Sequence, residues 1–415
     1  MEEYDVVITG GGPAGLFCAL WSGRMCRNEG QEKKILLLEK KESCGKKLML
    51  SGLGQCNVTN ARDIKDFTDR YGDAGRFVRP SLFGFTNRDL ISFFEERGIP
   101  LTEENGGKVF PKSKKASDIL DLLLLECEKN GVEIRCSESV IFVDTDNDRF
   151  ITKTENSEYL SGSLVIATGG KSYPGTGSSG DGYRFAETLG HSVTEIAPAL
   201  CAVYPSEYPF SSLSGISFEN ISVSLYDGNK KTRQITGDLL LTHKGLSGPC
   251  ILHMSRYIRA GNILKVSFIK EKSQDEFRKE FTQKISETGT MKIKTVLSGY
   301  GLPERFVKLI LSLSGIETDM TCAHLSKKAR NGLISNLTEY PFLIKRTGSF
   351  NEAMATAGGV LLSEINSKTM ESKIVPNLYF IGEVLDIDGD TGGYNLQAAF
   401  STAHMAALRI CSKNI

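Results

Sequence analysis

The sequence predicts an α/β protein in which a doubly wound, Rossmann-like dinucleotide-binding domain is interrupted by an inserted β-rich and helical domain. Three observations predict it. The apolar run Val6-Val7-Ile8 leads into Gly10-Gly11-Gly12-Pro13-Ala14-Gly15, whose glycines keep the spacing G-x-G-x-x-G. A second strand is expected over 34–38 and ends at an acid, Glu39. From about 193 the pattern changes to alternating strands and then helices, and glycine-rich strand ends return only after 351.

Each glycine of the first turn has its own task. Gly10 permits the tight turn, Gly12 lets the backbone approach a pyrophosphate, and Gly15 lets the next helix pack on the strand. That helix, from Pro13 and Ala14 to about 26, points its free N–H groups at the phosphates. Glu39 at the second strand end is placed to accept from the hydroxyls of an adenosine ribose. A charged stretch with Lys40 and Lys46 follows, then a loop over 51–60 rich in glycine and small polar residues, including Ser51, Gly52, Asn57, Thr59 and Asn60. Such a loop brings backbone and amide groups close to a flat ligand.

Residues 61–100 read as connecting helices, with Leu90, Phe93 and Phe94 at near-helical spacing and both phenylalanines assigned to the core. A helix over 116–130 stops at Gly131, and strands are expected over 132–135 and 139–143. Leu164-Val165-Ile166 is a buried strand running into Ala167-Thr168-Gly169-Gly170. Gly170-Lys171-Ser172 looks like the end of a P-loop, but Val165 stands where that motif requires glycine. The stretch 172–182, mostly glycine and serine, is expected to need a partner for order, and a helix over 182–189 follows it.

In the insertion, Ile221-Ser222-Val223-Ser224-Leu225 alternates and Asp227-Gly228 signals a hairpin. Strands are expected over 238–242 and 263–268, helices over 273–338, and one amphipathic helix from His324 to Leu337. The expected domains are therefore 1–192 with 351–415, and 193–350 between them. After 351 a strand ends in Gly382-Glu383 and Asp386, and Gly392-Gly393-Tyr394-Asn395-Leu396 opens a helix running to about 408.

Composition bounds the function. The 50 basic and 50 acidic residues cancel, so no global field favours nucleic acid or an anionic membrane, and no apolar stretch is long enough to span a bilayer. With the first strand starting at residue 4 or 5 there is no room for a signal peptide, and a cytoplasmic protein is expected. The 10 cysteines form no C-x-x-C pair, which argues against a zinc ribbon, and no metal site is expected. Oligomeric state is not legible.

These motifs resemble those of a flavoprotein family that includes aminoacetone oxidases and a bile-acid reductase. The resemblance is carried by Ser51-Gly52-Leu53-Gly54-Gln55-Cys56-Asn57, where members usually read Ser-Gly-Gly-Gly-Arg-Cys-Asn, by 104–111, by 172–182, by 243–249 and, with few departures, by 388–397. It implies noncovalent FAD held by Gly10, Gly12, Pro13, Ala14, Gly15, Glu39, Lys40, Lys46, Ser51, Gly52, Asn57, Thr59, Asn60, Val140, Ala167, Thr168, Gly169, Gly170, Gly382, Glu383, Asp386, Gly392, Gly393, Tyr394, Asn395 and Leu396. The helix opening at Tyr394 then faces the flavin's carbonyl edge, where its N-terminal charge favours reduction.

The function implied is an FAD-dependent oxidoreductase moving electrons between a small substrate, an enone such as an oxidised bile acid or an amine, and NAD(P)H or oxygen. No second nucleotide fingerprint is found, so NADH or NADPH, if used, docks transiently at the flavin and ping-pong kinetics is expected. An RNA-modifying flavoprotein and a flavin-carrying sensor are the alternatives, and neutral charge weighs against the first. His243, at a strand end beside a glycine-rich turn, is the candidate proton-transfer residue, with Tyr394 as the alternative.

Overall fold

The computed structural model describes residues 1–412, and the chain divides into two compact units: Met1–Ala199 joined by the chain from Phe350 onward, and Leu200–Ser349. The first unit begins with β1 (Glu2–Thr9), α1 (Pro13–Asn28) and β2 (Ile35–Leu38). β1 and β2 pair in parallel, from Val6 opposite Ile35 to Thr9 opposite Leu38. Val6, Val7, Ile8 and all of β2 are buried, which is why the runs are continuously apolar: a parallel strand is covered on both faces.

A short antiparallel sheet of β3 (Thr59–Asn60), β4 (Leu101–Glu104) and β5 (Lys108–Pro111) frames α2 (Gly75–Gly84) and α3 (Asn87–Glu95). Thr86 and Asp89 form a reciprocal capping box that starts α3. Next come α4 (Ala116–Lys129), β6 (Val132–Arg135), β7 (Val140–Asp146), β8 (Arg149–Thr154) and β9 (Glu158–Ile166). The strand expected over 139–143 is one arm of an antiparallel β7–β8 hairpin whose turn holds Asn147 and Asp148 at positive φ. α5 (Asp181–Thr188) and β10 (Ala197–Ala199) complete this part.

The segment 172–182 departs from expectation. It is held by the protein itself: the Tyr173 N–H donates to Phe350 O at 2.9 Å, and the Gly177 N–H to Pro174 O at 3.1 Å.

The second unit is built on a closed six-stranded barrel. Its strands are β11 (Val203–Pro205), β12 (Ser217–Asp227), β13 (Lys230–Leu241), β14 (Leu246–Ser247), β15 (Ile263–Val266) and, later in the chain, β16 (Tyr340–Thr347). Closure depends on β15 and β16 pairing across more than 70 intervening residues, so local patterning shows the strands and not the barrel. α6 (Pro249–Met254) follows β14, and α7 (Gln274–Glu287), α8 (Ile293–Ser298), α9 (Glu304–Leu313) and α10 (Lys327–Thr338) precede β16. His324 does not open α10, as expected from periodicity; it lies in a separate turn, Cys322–His324, and Ser326 caps the helix. Phe268 meets Phe306 at 4.6 Å within this unit's own core.

The chain returns to the first unit through β17 (Ala355–Ala357), β18 (Leu378–Phe380) and α11 (Tyr394–Cys411). β17 pairs with β10, so residues 193–199, expected in the insertion, belong to the first unit. The seven-stranded main sheet has the order β6-β2-β1-β9-β8-β7, with β18 added in parallel to the C-terminal end of β9. Alanines 398, 399, 403, 406 and 407 are buried along α11, and Phe17 of α1 meets Phe400 at 4.9 Å.

Candidate active site

The glycines of the first turn separate by what surrounds them. At Gly10, φ is +108° and an added Cβ would lie 2.5 Å from the Ala167 carbonyl oxygen; at Gly15 it would lie 1.9 Å from Gly10 O. Packing within the protein therefore demands glycine at both. Gly12 has an ordinary φ of −80°, and nothing lies within 4 Å of a Cβ there. Packing within the protein does not demand glycine at this position, whereas a phosphate lying on the backbone would. α1 opens with no side-chain cap and with Pro13 in its first turn, leaving its N-terminal N–H groups open. Pyrophosphate fits this cradle.

Glu39 is buried at the end of β2, where Oε2 accepts the Gly11 N–H at 2.7 Å and Oε1 accepts the Lys41 N–H at 2.8 Å. Its carboxylate is thus fixed on the turn itself. Lys40 is ion-paired with Asp181 and bonded to Ser179, tying the loop after β2 to the start of α5. Lys46 pairs with Glu42 on the same turn.

Lys47, which the sequence did not single out, reaches partners far away in the chain. Its Nζ lies 2.5 Å from Glu383 Oε2 and 2.5 Å from Ser172 Oγ. Glu383 Oε1 accepts the Ser172 hydroxyl at 3.2 Å and the Thr356 N–H at 2.9 Å. The Thr356 hydroxyl in turn accepts the N–H groups of Lys171 and Ser172, at 2.8 and 3.1 Å. Four segments distant in sequence are joined in one charged network. Only the doubled Lys46-Lys47 hinted at it, and the turn geometry decides which of the two reaches Glu383.

The strand ends converge on this place. Ala167 O sits beneath Gly10, the Gly170 Cβ position is 2.4 Å from Thr356 Oγ1, and the Gly382 Cβ position, at φ +69°, is 2.9 Å from Ala14 Cβ. Gly169 is also left-handed, at φ +72°. The Thr168 hydroxyl is buried with no partner, which fits a ligand atom at this position. Val140, the first residue of β7, is buried.

The loop over 51–60 is tied to distant segments of the first unit. Ser51 donates to Leu48 O at 2.7 Å, and Gly52 takes φ +56°. Asn57 accepts the Val109 N–H at 3.2 Å, Thr59 bonds Gln397 at 2.5 Å, and the Asn60 amide donates to Gly106 O and Gly392 O, each at 3.1 Å. These three side chains fasten β3 and β5 to the start of α11. Leu53 is left-handed at φ +58° and 96% exposed, so the leucine in place of the family's glycine carries backbone strain.

At the start of α11, Gly392 and Gly393 have φ of +121° and +96°, and a Cβ on Gly393 would lie 2.3 Å from Thr59 O. This helix also lacks a side-chain cap, and Asn395 clamps Gly389 through its N–H at 2.7 Å and its carbonyl at 2.9 Å. The N–H groups of Tyr394, Asn395 and Leu396 are left for a ligand. Tyr394 is buried, its ring 4.9 Å from Phe67, and Tyr71 donates to its carbonyl at 2.9 Å. Burial holds its phenol above the ordinary range, outweighing the opposite pull of Arg70 and Arg62, so it stays protonated at neutral pH. Arg70, missed by sequence reasoning, has its guanidinium 6.0 Å from that ring. Asp386 is raised by burial and accepts the Thr194 hydroxyl at 3.0 Å.

His243 belongs to the second unit, where it is exposed in a turn closed by the Thr242 N–H donating to Gly245 O at 2.9 Å. The first unit's own histidines are packing residues. His191 is 2.7 Å from Ser372 Oγ, and His404 lies between Trp21 at 4.8 Å and Phe85 at 4.6 Å. Among the described residues no cluster suited to a metal occurs, and no helix is long and apolar enough to cross a membrane.

Comparison with known proteins agrees with this architecture. Residues 4–409 match the family described as the HI0933-like protein Rossmann domain. The chain is 33% identical to a ribosomal RNA dihydrouridine synthase of Haemophilus influenzae, covering 99% of each, and 32% identical to one of Escherichia coli, covering 98% of each. It is 29% identical to a 3-dehydro-bile acid delta(4,6)-reductase of Clostridium scindens, covering 96% of this chain and 97% of that protein. Among solved structures, a flavocytochrome c3 fumarate reductase aligns with TM-score 0.52 at 15% identity, over 99% of this chain and 78% of the other. A 3-ketosteroid delta1-dehydrogenase from Sterolibacterium denitrificans aligns with TM-score 0.51 at 12% identity over the whole of both chains. With the phosphate cradle and two uncapped helix starts in place, the chain belongs to the HI0933-like family of FAD-binding Rossmann proteins and is a flavin-dependent oxidoreductase.

Proposed function

We propose that this protein reduces a carbon–carbon double bond conjugated to a carbonyl. Reduced FAD, when bound, would supply the hydride taken up at the carbon β to that carbonyl and would be left oxidised, to be reduced again by NADH or NADPH. The observation that carries the reading is the agreement of the full-length relatives: a delta(4,6)-reductase of a 3-dehydro bile acid and two dihydrouridine synthases both saturate such a bond, one in a steroid enone and one in a uracil ring.

The chain's own residues then have three tasks. Gly12 and the open start of α1 hold the pyrophosphate, with Glu39 fixed on the same turn. The open N–H groups at the start of α11 stabilise negative charge on a ring carbonyl. A proton must reach the α carbon, and Tyr394, buried and neutral, is suited to hold it, with His243 as the alternative donor. The exposed turn around His243 keeps that residue a candidate on its chemistry alone.

A second reading concerns what bears the double bond. The two relatives at 32% and 33% identity act on ribosomal RNA by name, so a uracil ring within RNA stands beside a free enone. The test is anaerobic. The yellow protein is bleached with NADH or NADPH, then mixed with a 4-en-3-one steroid or with ribosomal RNA. Return of the oxidised spectrum with a product heavier by two hydrogens is expected from one of them. Bleaching by amines, with no reoxidation by either conjugated substrate, would refute the proposal.

A further inference from the structure

We propose that the cleft between α7 and α10 of the second unit docks the phosphate backbone of RNA, an inference that rests on the RNA-borne uracil reading above. The neutral total charge conceals a segregation. Residues 200–349 carry 21 lysines and arginines against 13 acids, a formal +8, and the rest of the chain carries the matching −8. Whole-chain neutrality therefore says nothing against a polyanion meeting the second unit.

Within that unit a cleft of about 770 Å³ is lined by Arg278, Lys279, Thr282, Gln283, Ser286 and Arg330, over a floor that includes Ile285 and Leu325. No acid is among its lining residues. Positions 278, 282 and 286 recur every fourth residue and form one stripe along α7, while Phe277, Phe281 and Ile285 beside them fill the core.

The cations are available. Arg278 makes one long bond, 3.4 Å, to Asn331 Oδ1, and the Arg330 Nε is buried without a partner. The nearby carboxylates are engaged elsewhere. Glu276 accepts the Ser273 hydroxyl and N–H in a capping box, Glu280 pairs with Lys272, and Glu287 accepts from Gln283. Lys279 does act on Glu276, helping Lys272 and the Ser273 cap to hold that acid below its usual range. Lys327 and Lys328 extend the basic surface along the first turn of α10. Guanidinium, ammonium and hydroxyl groups on an open surface are the donor set that phosphodiester oxygens take, with no base edge required.

The experiment measures binding of a fluorescent 20-nucleotide single-stranded RNA by the FAD-loaded full chain across a salt series. Wild type should bind with log K falling linearly in log salt. In the Arg278→Gln/Lys279→Gln/Arg330→Gln variant the slope should shrink by about 2, at ~0.7 per lost phosphate contact, and affinity at low salt should fall at least tenfold. Lys230→Gln/Lys231→Gln, on the barrel hairpin, should bind as wild type. Flavin content and far-UV dichroism establish that each variant is folded. An unchanged slope and affinity in the triple variant, or no RNA binding by wild type at low salt, would overturn the docking site. Binding requires no turnover, so cleft-dependent binding without dihydrouridine formation refutes the RNA-borne uracil reading and leaves the site standing.

Discussion

The contrast between Gly12 and Gly15 gives the sharpest test of how the first turn works. Both are glycines of one motif, and both substitutions should remove FAD, for opposite reasons. At Gly15 an alanine Cβ would sit 1.9 Å from Gly10 O, far inside contact distance and against backbone that cannot rotate away. Overpacking of this kind costs about 3 kcal/mol or more, so the apoprotein should lose stability directly. At Gly12 a Cβ meets no protein atom and φ is ordinary. Two small terms compete there: alanine removes unfolded-state freedom, worth about 0.4–1 kcal/mol, and is a poorer N-cap than glycine by a similar amount. The apoprotein of Gly12→Ala should therefore unfold within about 1 kcal/mol of wild type, a change of ~2–4 °C at most for a unit of this size. Gly12→Val should do the same in the apoprotein while abolishing FAD binding, because the added methyls occupy the place where backbone meets phosphate. The assay is thermal unfolding of apoprotein and FAD-reconstituted protein for wild type and the three variants. Gly12→Val that retains FAD, or Gly15→Ala whose apoprotein is as stable as wild type, would refute this division of roles.

Lys47→Met should destabilise the first unit by about 1–2 kcal/mol in urea, since Glu383 would lose a charged partner at a site where both side chains remain partly exposed, 27% and 19%. Tyr394→Phe should keep its FAD yet turn over roughly a hundredfold more slowly, and His243→Gln should do so only if the histidine is the donor, so parallel rates assign the proton. Because the Tyr394 phenol is held above its ordinary value, loss of its proton should limit activity only above about pH 10, and a limb near neutrality that vanishes in Tyr394→Phe would contradict the assignment. Burial lowers His404 to about 4 from 6.5, so the unfolded chain binds the proton more tightly. Its contribution is complete above pH 6.5 and is lost as pH falls toward 4, making the protein about 2 kcal/mol less stable at pH 5 than at pH 7.5. His404→Leu should flatten that dependence in denaturant unfolding.

The local chemistry of this protein is written in consecutive residues. A strand buried on both faces must be continuously apolar, and a turn packed against its own backbone must carry glycines, so β1, the turn from Gly10 to Gly15 and the acid after β2 could be read without coordinates. The glycines and tyrosine opening α11 were legible for the same reason. What the tertiary structure alone decided depends on contacts between residues far apart. Lys47 bonds Ser172 and Glu383, whereas its neighbour Lys46 finds Glu42 four residues away. Asn57, Thr59 and Asn60 stand in one short polar loop, and the partners their side chains bond lie 46 to 338 residues away in the chain. The closed barrel, the start of the second unit at Leu200 and the separation of +8 from −8 follow the same logic, since pairing across long separations and charge summed over a folded unit leave no mark on any local window of sequence.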